Sequence, residues 1–168
     1  YVSFMIVTMG ERVSDRAAEL FAADRYQDYL MLHGLGVEMA EALAELWHRR
    51  VREEFGYADD DAPSVAGLFR QQYRGGRYSW GYPACPDHTE KTALFNLLSA
   101  TEHSDIVLTE HFAMTPAASV SGFYYAHPES KYFSVGKITK DQVEHYAQRK
   151  KITIEEAEKW LSPALSYD

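Results

Sequence analysis

The chain has one cysteine, Cys85, in 168 residues. It forms no internal disulfide, which fits a reducing compartment and a cytoplasmic location. Positive charge is also scarce. Seventeen Lys and Arg against 25 Asp and Glu leave a formal net charge of -8. A surface of that sign repels phosphate backbones, so nucleic acid is not an expected partner. No stretch reaches the roughly 18 uninterrupted apolar residues of a membrane helix, so no membrane association is expected. The opening YVSFMIVTMG is apolar, but it lacks a basic flank and runs into Glu11 and Arg12. It does not read as a signal peptide. It reads as a buried strand or helix end, and without an initiating Met the chain is expected to be a fragment of something longer. GxGxxG, GxxxxGK[ST] and GxSxG are all missing. That argues against a doubly wound dehydrogenase or methyltransferase and against a nucleophile elbow.

What is present suits a core. Hydrophobic residues make up 46% and aromatics 14%, with 12 Tyr and 3 Trp, which excludes bulk disorder. The length suits one domain, 1–168, rather than two. Ser14 is expected to cap a helix through Ala17, Leu20, Phe21, Tyr26 and Leu30, broken at Gly34 and Gly36. A second helix is expected from about Val37 to Phe55, with Ala40, Leu43, Ala44, Trp47 and Val51 as its apolar stripe. Asp59, Asp60 and Asp61 read as a solvated loop, followed by a short helix from Ser64 to near Tyr73. In RYSWGYPACP (Arg77 to Pro86) the prolines forbid a regular helix. A helix resumes from Asp87, with Glu90 placed for a capping box and Leu94, Phe95, Leu97 and Leu98 on its buried side. From Asp105 the period shortens. Ile106, Leu108 and Ser119 to His127 read as strands, and so does Lys131 to Lys137 beyond a turn at His127 to Ser130. Thr139 with Gln142, and Thr153 with Glu156, have capping-box spacing for two closing helices, and Pro163 stops the last. The order predicts an α+β fold, an antiparallel sheet flanked by helices, rather than alternating βαβ units.

Local chemistry offers candidate binding groups. Arg77 offers a planar fork for a carboxylate or phosphate. Gly81 lets a ligand approach the backbone. Tyr78, Trp80 and Tyr82 offer stacking faces for a flat ring. On composition alone the plainer reading is an ordinary loop whose aromatics complete a core. Ala113 to Gly122 is dense in small residues, which suits a close-lying ligand but also tight strand packing. Glu41 reads first as surface charge and Tyr132 as core or rim. Cys85 and His88 have C-x-x-H spacing, half of a zinc site. His33, His48, His103, His111, His127 and His145 supply no matching pair, so zinc is not expected and the two read as a buried thiol and a helix-start histidine.

RxxxGYPACPDHTEK (Arg77 to Lys91), LTEHFAMTPAASVSGFYYAHPESKYFSVGKI (Leu108 to Ile138) and DQVEHYAQRK (Asp141 to Lys150) stand in this order. Together they resemble the activation domain of cobalamin-dependent methionine synthase, the module that binds S-adenosylmethionine. The resemblance is close from about Arg70 to Asp168 and weaker but continuous back to Tyr1. It implies an activation-domain fold, of which this chain is the C-terminal part. By the same resemblance the chain is expected to lack an N-terminal portion that carries an acidic residue for the ligand's amino group.

The resemblance also implies roles. Arg77 would grip the methionine carboxylate of S-adenosylmethionine. Ser79, where some relatives have alanine, and Gly81 would bond the ligand through main chain. Tyr82 would face the corrin, Tyr132 would line the ligand, and Glu41 would lie near its amino group. A nearby family acid falls on Val37. The implied activity is reductive methylation of cob(II)alamin to methylcobalamin, as part of a homocysteine methyltransferase in methionine biosynthesis. The implied partners are the cobalamin-binding domain of the same enzyme and a flavodoxin-like or flavoprotein reductase. The chemistry then belongs to the two cofactors, S-adenosylmethionine and cobalamin, and the protein contributes proximity, with no catalytic residue of its own. Lys131, Lys137, Lys140, Arg149, Lys150 and Lys151 are candidates for a basic patch facing an acidic reductase, though they read more plainly as a solvated face. The alternative is a non-catalytic module that docks a corrinoid domain or a reductase.

Overall fold

A computed structural model describes residues 1–167. In chain order its elements are β1 (Val2–Thr8), α1 (Glu11–Ala22), α2 (Tyr26–Glu54), α3 (Val65–Phe69), β2 (Gly76–Tyr78), α4 (Lys91–Leu98), α5 (Ala100–Ser104), β3 (Val107–Leu108), β4 (Met114–Thr115), β5 (Ser119–Tyr125), α6 (Lys140–Lys150) and α7 (Ile154–Leu161). The expected α+β class holds: two small antiparallel sheets, β1-β5-β2 and β3-β4, are flanked by helices.

β1 and β5 pair along their whole length, from Val2 opposite Tyr125 to Thr8 opposite Ser119. Side chains alternate across the sheet. Met5, Val7, Val120 and Tyr124 therefore face α2, where they pack with Ala44 and Val51. Phe123 faces the other way, onto Tyr78, Ala84 and Trp80. Gly122 sits where β2 gives way to the loop. A Cβ there would lie 2.3 Å from the Tyr78 carbonyl oxygen, so only glycine lets that loop lie against β5. α6 and α7 bury a cluster of their own, Val143, Ala147, Ala157 and Leu161.

Several expectations are corrected. Gly34 and Gly36 do not break a helix, since α2 runs through both. The break falls at Asp24, whose φ is 55°. Gly36 is instead where α1 crosses α2, and a Cβ there would lie 2.9 Å from Cγ1 of Val13. Ser14 lies inside α1, and Gly10 precedes that helix. The buried stripe of α2 is Gly36, Ala40, Ala44, His48 and Arg52, while Trp47 is exposed. Leu97 is exposed as well. Asp61 is not simply solvated; it pairs with Arg52. α3 ends at Phe69.

Asp87 accepts hydrogen bonds from the Thr89 amide and hydroxyl, and α4 begins only at Lys91. Glu90 makes no capping box because it turns to Lys150, 2.8 Å away. Lys131 to Lys137 is not a strand. Its Val135 amide donates to the Pro83 carbonyl at 2.9 Å, but Pro83 has no amide to donate back and no ladder forms. The turn before it is present, with Ser130 N donating to His127 O at 3.0 Å. Thr139 and Gln142 form the expected capping box, and the Thr153 hydroxyl accepts from the Glu156 amide. α7 ends at Leu161, before a turn containing Pro163.

Candidate functional site

α2, the β2 edge and the Lys131 to Lys137 segment enclose a cleft of about 220 Å³. It is lined by Glu41, Gln71, Tyr73, Arg77, Ser79, Tyr82 and Tyr132. Five of the six residues singled out in the sequence thus meet in one place. The sixth, Gly81, lies on an adjoining cavity of about 440 Å³ that shares Ser79 and Tyr82 with the first.

Arg77 reaches the cleft because of strand parity. It stands opposite Tyr124 on β2, so it faces α2 as Tyr124 does. Its Nη1 donates to Glu45 Oε2 at 3.3 Å, and its Nη2 lies 3.7 Å from Glu41 Oε2. Glu41 and Glu45 are one helical turn apart and present their carboxylates side by side. Behind them Glu45 Oε1 lies 3.5 Å from Nη2 of Arg52, a fully buried side chain. Arg52 is in turn held by Asp61. Charge therefore alternates from the acidic loop to the cleft: Asp61, Arg52, Glu45, Arg77, Glu41.

Aromatic rings pack around this chain of charges. The Arg52 guanidinium sits 4.3 Å over the Tyr73 ring. His48 stacks on Tyr124, with centroids 4.2 Å apart, and meets Tyr73 edge-on at 4.9 Å. Burial, reinforced by the charges of Arg52 and Arg77, pushes the His48 pKa down to about 2, so the imidazole is neutral. Burial raises the Tyr73 hydroxyl, and the charge of Glu45 adds to the rise. Neither His48 nor Tyr73 is poised as an acid or base near neutrality.

The loop is fixed by its own backbone. Gly81 N donates to Cys85 O at 2.7 Å, and Cys85 N donates to Tyr82 O at 2.8 Å. Gly81 has φ +91°, and a Cβ there would lie 2.0 Å from the His88 ring. Tyr82 is exposed at the rim. Tyr132 stacks on Tyr78, 6.0 Å away, whose hydroxyl donates to the Lys131 carbonyl at 2.9 Å. Burial raises the Cys85 thiol, and His88 Nδ1 lies 3.0 Å from Lys91 Nζ. Among the described residues no group of three or more His, Cys, Asp and Glu is placed to hold a metal ion.

The basic patch is corrected in part. The Lys150 ammonium is taken up by Asp87, Glu90 and Thr89, and Lys137 donates to the Leu165 carbonyl at 2.9 Å. Sequence reasoning missed Glu45, Gln71 and Tyr73. Glu45 carried a signal, being four residues from Glu41 on the same helix.

The family model described as vitamin B12 dependent methionine synthase, activation domain, matches residues 1–151. The chain belongs to this family. An activation domain of this kind is also found by structure: the crystal structure of the MetH reactivation domain bound to AdoHcy superposes with a TM-score of 0.92 at 44% sequence identity. The match covers 99% of this activation-domain chain and 52% of the solved one, so the chain spans about half of that relative's length. Among the described residues no helix is long and apolar enough to cross a membrane.

Proposed function

We propose that the Arg77 cleft binds the amino-acid end of S-adenosylmethionine. In this reading the chain serves the reductive methylation of cob(II)alamin to methylcobalamin within a cytoplasmic cobalamin-dependent methionine synthase. The observation that carries the reading is the meeting of Arg77, Glu41, Ser79, Tyr82 and Tyr132 around one cavity. The relative solved with AdoHcy supports it, because that ligand shares its amino-acid tail with S-adenosylmethionine.

Each residue then has a physical task. The Arg77 fork takes the ligand carboxylate in place of Glu41, its more distant partner, while Glu45 keeps the guanidinium aimed. Glu41 is released toward the ligand ammonium. The Ser79 and Gly81 main chain bonds the ligand, and Tyr132 walls it. The cleft is small beside the roughly 300–1,000 Å³ of ordinary ligand pockets. It suits the amino-acid tail, and the adenosyl end passes Ser79 and Tyr82 into the adjoining cavity. No proton has to move; the protein holds a sulfonium methyl in line, and proximity is its contribution. Cobalamin, carried by a separate domain, would supply the metal centre that accepts the methyl group, and Tyr82 at the rim would face it. A flavodoxin-like or flavoprotein reductase supplies the electron. The isolated chain is expected to be inactive by itself.

A second reading is a docking module that does not use the ligand productively. The two carboxylates already on Arg77 favour it. Calorimetric titration of S-adenosylmethionine into the chain and into Arg77→Ala separates the two. Removal of a charged hydrogen-bond partner is expected to cost about 1.5–3 kcal/mol, a loss of roughly ten- to a hundredfold in affinity. Millimolar binding that ignores the substitution favours docking alone.

A further inference from the structure

A third cavity lies between the loop after β2 and the closing helices. It measures about 440 Å³, twice the 220 Å³ of the Arg77 cleft, and shares no residue with that cleft. Its size falls within the roughly 300–1,000 Å³ of ordinary small-molecule pockets. Strand parity separates the two. Trp80 lies 4.8 Å from Phe123, on the sheet face opposite to Arg77, and forms one wall of the cavity. Ala84, Pro86, Val135, Ile138 and Leu161 add further apolar walls. The α6–α7 unit buries a core of its own and reaches the loop through Lys150 and Tyr146, which both bond Asp87. Beside that polar clamp the apolar surfaces of the loop and the helices stand apart.

The charges along the wall decide what fits. Asp87 and Glu90 both line the cavity, but Lys150 pairs with each of them, and Asp87 also accepts from Tyr146 and Thr89. Neither carboxylate is left for a cationic guest. Gln142 accepts the Thr139 amide on its side-chain oxygen at 2.9 Å, so its N–H groups are what it has to offer. Arg149 lines the cavity and pairs with no carboxylate among the described residues; its guanidinium lies 5.9 Å from the Tyr146 ring centroid. The lining therefore combines apolar walls, two aromatic rings and a guanidinium free to take an anion. We propose that this cavity binds a small aromatic carboxylate, its ring against Trp80 and the aliphatic walls and its carboxylate on Arg149. The inference makes no use of ligand binding at Arg77.

The test uses 2-naphthoate and its neutral counterpart, naphthalene-2-carboxamide. Cys85 is the chain's one cysteine and lines the cavity, so its alkylation by iodoacetamide at mildly alkaline pH reports occupancy. Saturating naphthoate is expected to slow alkylation about fivefold or more, and calorimetry is expected to give a dissociation constant of about 1 mM or below. Arg149→Gln is expected to weaken naphthoate about three- to tenfold, as for a partly screened charge pair, and to leave the carboxamide unchanged. Val135→Trp fills the cavity from a segment outside the helices and is expected to abolish protection by both compounds. Arg77→Ala is expected to leave protection intact, because a carboxylate held in the other cleft does not shield Cys85. Alkylation that ignores naphthoate overturns the proposal. So does equal binding of the acid and the amide by the unsubstituted chain, and so does protection that survives Val135→Trp or that depends on Arg77 instead of Arg149.

Discussion

Asp61 grips Arg52 edge-on: Nε lies 2.7 Å from one carboxylate oxygen and Nη2 lies 2.8 Å from the other. This is the bidentate geometry in which an arginine–carboxylate pair is strongest. Arg52 has no exposed side-chain surface, and its only other carboxylate partner among the described residues is Glu45. The pair therefore anchors the far end of the charge chain that reaches Arg77.

Replacing Asp61 by alanine strands a buried guanidinium. Removing one partner of a buried pair typically costs about 3–5 kcal/mol, because the surviving charge stays desolvated. Asp61→Ala is expected to lower the urea midpoint accordingly. Glu45 would then turn toward Arg52 and hold Arg77 less well, so ligand affinity should fall too. A variant that unfolds at the unchanged midpoint would show that the pair contributes nothing.

How much of this was legible in the sequence depended on how local the signal was. Arg77, Ser79, Gly81 and Tyr82 lie within six residues, and their grouping survives any error in the elements around them. Ser79, Glu41 and Tyr132 came only through the resemblance to known activation domains, because none has a pattern of its own. Arg52 and Asp61 were invisible as a pair. Charged residues are read as solvated until tertiary packing buries them, and nothing local to Asp61 says that α2 ends with a buried cation. Gly36 was misread for a similar reason: a glycine that ends a helix and one that admits a crossing helix look alike until α1 is placed. Lys131 to Lys137 alternates as a strand does, but alternation without a partner that returns its hydrogen bonds gives no ladder.

The neutral His48 makes stability depend on pH. Its folded pKa of about 2 lies below the usual 6.5, so the unfolded chain binds the extra proton between those values. Stability rises with pH wherever the unfolded state binds more protons, and it is therefore lost as pH falls below about 6.5. One proton gives a slope of up to about 1.4 kcal/mol per pH unit. His88 is also lowered, by burial first and then by Lys91, and acts in the same direction. The discriminating measurement is the slope of unfolding free energy between pH 6 and 5 in the wild type and in His48→Gln. The variant is expected to lose about one proton's worth of slope whatever its absolute stability. Equal slopes would mean that His48 does not stay neutral in the fold.

Gly81 is constrained twice, by φ +91° and by the His88 ring that a Cβ would strike at 2.0 Å. Gly81→Ala is expected to cost about 1–3 kcal/mol for the backbone conformation alone. It should also distort the loop that presents Ser79 and Tyr82, weakening AdoHcy binding in a calorimetric titration. Pairing it with His88→Ala removes the collision but not the backbone cost. The double variant should recover only part of the lost stability, whereas full recovery would assign the whole effect to the ring.

Lys150 joins the α6–α7 unit to the loop that carries the candidate site. α6 and α7 share a core cluster of their own, so their attachment to the sheet rests on a few specific contacts. Lys150 Nζ lies 2.5 Å from the buried Asp87 carboxylate and 2.8 Å from Glu90, while the Tyr146 hydroxyl donates to Asp87 at 2.6 Å. Burial pushes the Asp87 carboxyl up, but hydrogen bonds from Lys150, Tyr146 and Thr89 outweigh it, and the group sits below its usual 3.8. That lowered value gives stability that is present above about pH 4 and lost as the carboxyl protonates on the acid side. Lys150→Met keeps the aliphatic stem and removes the charge, leaving burial less opposed. The acid unfolding midpoint of the variant is expected to move to higher pH, with a loss of about 2–3 kcal/mol at neutrality, smaller than for a fully buried pair because the ammonium is partly exposed. Amide exchange should quicken first in α6 and α7, ahead of β1 and β5, since the loosened contact is the one that holds them down. Uniform quickening across the chain would show instead that Lys150 contributes only to global stability and does not clamp these helices to the loop.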